Sequence, residues 1–194
     1  MTFTEKFLDE CKLMLTFINT KQIENVVNIL EEVRNNNGRL FIIGSGGGAG
    51  HASHAVCDFR KLCDFEAYAP YDNISELTAR VNDESWELSI VKWLITSNLN
   101  SKDCIFVISV GGGSIEKLVS MNLVNAIKYA KEINSKVVGI VSKDGGYTRK
   151  VGDAVILLPV INNENITPLT EGFQAVIWHL LVSHPKLQIN KTTW

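Results

Sequence analysis

The chain has 194 residues, 19 of them basic and 21 acidic, for a formal charge of −2 and an isoelectric point near 6.1. With no lysine or arginine stripe, it lacks the electrostatic footprint of a nucleic-acid binder. Its apolar runs fall short of the roughly 20 residues a membrane crossing needs.

In chain order, residues 2–18 place Phe3, Phe7, Leu8, Cys11, Met14, Leu15 and Ile18 on one helical face, with Thr2 and Glu5 spaced as a capping box. Residues 21–34 repeat the pattern with Ile23, Val26, Val27, Leu30 and Val33 before "NNNG" stops the helix. Residues 1–37 thus read as a helical extension to a core spanning 38–184, all within a single domain of 1–194. Five short apolar runs follow: "RLFIIG", "FEAYA", "CIFVISV", "KVVGIVS" and "AVILLPV". Helix-length segments separate most of them, which predicts a three-layer α/β/α sandwich around a five-stranded parallel sheet. We adopt the flavodoxin-like order 2-1-3-4-5 as the working expectation. "INNENITP", residues 161–168, leads into the last helix. Four scattered cysteines without a CxxC pair, and an acidic amphipathic start, point to a reduced, cytoplasmic protein.

Ligands of such sheets bind beyond the carboxyl ends of the strands. Two glycine clusters lie there, "GSGGGAG" after the first strand and "VGGGS" after the third, with "SKDGG" after the fourth. A glycine loop entering a helix offers amides and a positive dipole end to an anion, and Ser45, Ser109 and Ser114 add hydroxyls. Tight turning alone also explains any one of these loops. Gly44, Gly46 and Ala49, with Asp64 or Glu66 about 20 residues on, satisfy a dinucleotide fingerprint, but that reading leaves the other glycine loops unexplained.

His54 and Asp58, four apart on the helix after the first loop, project from one face and could share a metal ion or form an ordinary contact. Glu171 and His179 lie eight apart, about 12 Å of helix rise. One ion could bind both only if the side chains reach toward each other, the helix starts late, or different subunits contribute. His51 and His184 lack partner spacing and read as surface or loop residues.

These residues resemble the sugar isomerase (SIS) domain proteins, and within them the phosphoheptose isomerases. The family's Gly-Asn-Gly-Gly loop is similar to Gly44, Ser45, Gly46 and Gly47, and its metal-ligand His and Glu match His54 and Asp58. Its Asn-Asp pair matches Asn82 and Asp83. Its phosphate loop corresponds to Ser109, Val110, Gly111, Gly112, Gly113 and Ser114, Lys-Asp-Gly-Gly is intact at 143–146, and its last ligands, Gln and His, fall on Glu171 and His179. The resemblance implies a homotetramer with active sites at subunit interfaces, the two N-terminal helices packing between subunits. It further implies one zinc ion per subunit on His54, Asp58, Glu171 and His179, and substrate binding by Ser45, Gly46, Gly47, Asp58, Asn82, Asp83, Ser109, Val110, Gly111, Ser114 and Glu171.

The implied reaction converts sedoheptulose 7-phosphate to D-glycero-D-manno-heptose 7-phosphate through a metal-assisted enediolate. Glu171 or Asp58 would be the base and His179 a proton relay. The chain departs from the family where Asp58 shortens a Glu, Glu171 replaces a neutral Gln, and Val110 and Gly111 replace hydroxyl residues. Arg60 and Lys61 are candidates to restore charge at the phosphate, or are simply exposed helix residues. The alternative is a non-catalytic SIS module that binds a sugar phosphate or a protein partner.

Overall fold

Thr2 starts the first helix, α1 (Phe3–Phe17): its hydroxyl accepts from the Glu5 amide, and the Glu5 carboxylate accepts from the Thr2 amide. In the computed structural model, which describes residues 1–192, α1 meets the body of the protein along a narrow line. Met14 is buried, while Phe7, Cys11 and Ile18 pack on the core from its edge. The Glu10 carboxylate accepts from the side-chain amides of Asn162 and Asn165 at 2.8 and 2.7 Å. Phe3, Leu8, Leu15 and Phe17 stay exposed. By contrast α2 (Thr20–Asn35) buries Ile23, Val26, Val27, Leu30 and Val33, the whole expected stripe. Asn37, in left-handed backbone with φ 55°, turns the chain into the sheet.

The core then alternates: β1 (Leu40–Gly44), α3 (Gly47–Cys63), β2 (Ala67–Tyr68), α4 (Ile74–Asp83), α5 (Trp86–Thr96), β3 (Cys104–Ile108), α6 (Met121–Glu132), β4 (Lys136–Val141), α7 (Gly146–Val151) and β5 (Ala154–Leu157). A 3-10 turn at Asn163–Asn165 leads into α8 (Ile166–Ser183). All strands are parallel in the order β2-β1-β3-β4-β5, as expected. Leu40 aligns with Ala67 on one side and Cys104 on the other. β1 and β3 are buried along their full length because helices cover both faces. One apolar cluster joins the sheet to α2, α3 and α8, the other to α5 and α6.

One local expectation changes. Only Ala67 and Tyr68 of "FEAYA" pair, since β2 is an edge strand with a single neighbour. Asn82 and Asp83 close α4, and the next helix is capped by Ser85, whose hydroxyl accepts from the Leu88 amide. Among the described residues no helix is long and apolar enough to cross a membrane.

Candidate functional site

The strand order reverses between β1 and β3, which opens a crevice at their carboxyl ends. There lies a cavity of 660 Å³ lined by Ser45, Ser109, Gly111, Gly113, Ser120 and Lys150, among others. One wall is made by two glycine loops locked together. The Gly112 carbonyl accepts from the amide and hydroxyl of Thr148, and the Gly113 carbonyl from the Tyr147 amide at 2.8 Å. A Cβ on Gly112, where φ is +69°, would lie 2.0 Å from the Gly145 carbonyl oxygen, so backbone packs on backbone. With these carbonyls turned to α7, the Gly111 and Gly113 amides have no acceptor among the described residues. Free amides on a curved loop form an anion-binding concavity.

The hydroxyls of this loop divide their duties. Ser109 accepts from the Gly112 amide. Ser114 is taken up by its own turn, accepting from the Lys117 amide and donating to Glu116. Ser120 caps no amide of α6 and lines the cavity. Val110 lines it too, as do Lys143 and Lys150. Behind the first glycine loop Tyr71 holds the end of β1: its hydroxyl accepts from the Gly44 amide and donates to the Gly44 carbonyl. Burial pushes that phenol well above its ordinary pKa.

From this cavity α3 and α8 run side by side in the same direction. Gly46, at φ +58°, turns the chain into α3, and a Cβ on Gly47 would lie 2.5 Å from the Glu171 carboxylate carbon. Farther along, one atom each of His54, Asp58 and His179 lie within 4.8 Å of one another. His179 Nε2 is 3.8 Å from Asp58 Oδ2. His179 Nδ1 lies 2.7 Å from the Ala175 carbonyl, which can only accept, so Nδ1 carries a proton and, in the neutral ring, Nε2 presents its lone pair. The Trp178 ring fixes both histidines, stacked on His179 at 3.5 Å and edge-on to His54 at 4.7 Å. Asp58 is 9% exposed and accepts no hydrogen bond among the described residues. Two imidazoles and an unsatisfied carboxylate form a donor set suited to a divalent cation such as zinc.

The structure gathers some of the expected residues and separates others. Glu171 stands apart from the three-residue group, against the start of α3, because eight residues of helix displace it by about 12 Å from His179. Asn82 and Asp83 are exposed, hydrogen-bonded to each other at 2.7 Å, and absent from the cavity lining of one protomer. Arg60 donates to the Ala67 carbonyl and lies over the Tyr68 ring, which removes it as a phosphate partner. His184 pairs with Glu24 at 3.4 Å on the surface. Ser120, Lys150 and Thr167 line the cavity unannounced by any motif, and Tyr71 and Asn122 support its first loop through Gly44 and Ser45.

A family model described as the SIS domain matches residues 6–142. Phosphoheptose isomerase of Helicobacter pylori (strain P12) is 25% identical over 166 residues, covering 83% of this chain and 81% of that protein. Lincomycin biosynthesis protein LmbN of Streptomyces lincolnensis is 30% identical over 154 residues, 76% of this chain and 56% of that one. Among solved structures, phosphoheptose isomerase from Neisseria gonorrhoeae superposes with a TM-score of 0.79 at 20% identity, covering 93% and 94% of the two chains.

Proposed function

The chain belongs to the SIS domain family, and from that premise we propose that it is a phosphosugar isomerase acting on sedoheptulose 7-phosphate, with D-glycero-D-manno-heptose 7-phosphate as product. One observation carries the reading: an anion-binding cavity, a carboxylate and a metal-capable triad are strung in that order along the groove between α3 and α8. From Gly47 to His54 the groove advances about 10 Å, which suits a substrate whose phosphate and carbonyl ends are several carbons apart.

The residues present fit a metal ion. Zinc held by His54, Asp58 and His179 would supply Lewis-acid polarisation of the substrate carbonyl. The free amides of Gly111 and Gly113 take the phosphate, helped by Ser45, Ser109 and Ser120, while Lys143 and Lys150 offset its charge. Glu171, beside Gly47, is placed between the phosphate cavity and the triad, where it takes the carbon-bound proton and returns it to the neighbouring carbon. Asp58 is the other candidate base, and its shorter side chain gives it less reach. With its Nδ1–H given to the Ala175 carbonyl and Nε2 left for the ion, His179 would serve as a ligand and not as the proton relay expected from the sequence.

Both triad histidines are exposed in one protomer, and Val176 and Leu180 on the same helix are 48% and 40% exposed. This supports a homotetramer in which a neighbouring subunit covers the groove and brings further residues, Asn82 and Asp83 among them, to it.

Elemental analysis of the purified protein, with turnover of sedoheptulose 7-phosphate followed by NMR, tests the proposal. Zinc near one equivalent and conversion to the aldose are expected. In Glu171→Gln, zinc stays and kcat falls about 10²- to 10⁴-fold. In His179→Ala, zinc is lost. Metal-free protein that binds the sugar phosphate and never converts it would leave the non-catalytic module as the correct reading.

A further inference from the structure

Asn122, in the first turn of α6, is a fully buried polar residue at 0% exposure. Its Nδ2 donates to Ser45 Oγ at 3.2 Å, and its Oδ1 is buried with no partner. The opposite amide orientation would aim Oδ1 at Ser45 and strand both N–H donors of the amide, in place of one donor and one under-used carbonyl, and an orphaned buried N–H is the costlier group. Since Ser45 accepts here, its own proton is not used by Asn122. Among the described residues Ser45 Oγ donates to no other group, and it lines the cavity shared with Ser109, Gly111 and Ser120.

We infer that Asn122 is a positioning residue that commits the Ser45 hydroxyl proton to the cavity, making Ser45 an obligate donor to an oxyanion bound there. The inference rests on the proposed phosphosugar site but not on its chemistry. Tyr71 completes the arrangement by gripping the backbone of Gly44, so the first two residues of the glycine loop are held from β2's side and from α6's. An unpaired buried carbonyl is tolerated at Asn122 because the amide group facing Ser45 sets the direction of that proton.

A double-mutant cycle tests this, with calorimetric titration of inorganic phosphate and of sedoheptulose 7-phosphate. Ser45→Ala is expected to weaken binding about 10- to 150-fold, the loss of one hydrogen bond to a charged group. Asn122→Leu should weaken it comparably. Asn122→Leu added to Ser45→Ala should cost nothing further, and KM should rise while kcat holds. Additive losses, or Asn122→Leu binding as the wild type does, would overturn the inference. Because Asn122→Leu could impair folding, the side-chain amide signals of Asn122 are also followed by NMR in Ser45→Ala. They must shift for the contact to stand, and unchanged signals overturn it. A wild type that shows the cycle with phosphate and converts no heptulose phosphate sinks the isomerase reading alone. One that binds neither probe sinks both.

Discussion

At the scale of the residue, the glycines of this chain do unequal work. Gly112 has φ +69° and no room for a Cβ against Gly145, whereas Gly50, inside α3, has nothing within 4 Å of its ideal Cβ position and ordinary backbone. Gly112→Ala should therefore lower stability by at least about 2 kcal/mol through strain and steric displacement. Gly50→Ala should raise it by about 0.5–1 kcal/mol, the helix propensity difference. Urea unfolding midpoints of the two variants check the contrast, and equal shifts would contradict it. The sequence displayed both glycines alike. Their difference comes from the approach of the loop after β4, a neighbour 33 residues away. His54 and Asp58 were legible as a pair because helix periodicity fixes their shared face, whereas His179 was tied to them by the resemblance alone, and the packing of α8 beside α3 brings it there.

At the scale of the element, α1 was readable from its apolar spacing and capping box, but its manner of attachment was not. Its docking leans on Met14 and on Glu10, whose carboxyl is held below the usual carboxylate range by hydrogen bonds from Asn165 and Asn162. A carboxyl whose folded pKa is depressed adds stability that is complete above its unfolded value and vanishes as pH falls through the folded one. Glu10→Gln should therefore destabilise the protein at neutral pH, and the gap to the wild type should close below about pH 4. Urea midpoints measured across pH test this, and a gap independent of pH would contradict it. α3 and α8 show the complementary case. Each was predicted as a helix, yet their parallel packing, which sets Glu171 against Gly47 and His179 beside Asp58, is a tertiary fact.

At the scale of the whole molecule, exposed apolar groups gather on α1, where Leu15 is 61% and Phe17 62% exposed. Burial against another copy would remove that surface from water at roughly 25 cal/mol per Å². Leu15→Ser combined with Phe17→Ser should lower the mass seen by light scattering without loss of helical circular dichroism. A monomeric wild type would contradict the proposed tetramer.

The sequence by itself determined the layered fold, because hydrophobic periodicity leaves few ways to cover five buried strands, whereas the strand order was adopted by analogy and the structure supplied it. It also marked the loops at the strand ends, where several glycine clusters together point to a ligand although tight turning explains any one of them. Only the tertiary structure decided that Glu171 stands apart from the triad, that Arg60 turns to β2, and that Asn122 reaches Ser45. The Asn122–Ser45 and Glu171–Gly47 contacts join residues 77 and 124 apart, Arg60 reaches a residue only 7 away, and all depend on how elements pack rather than on the periodicity of any one helix.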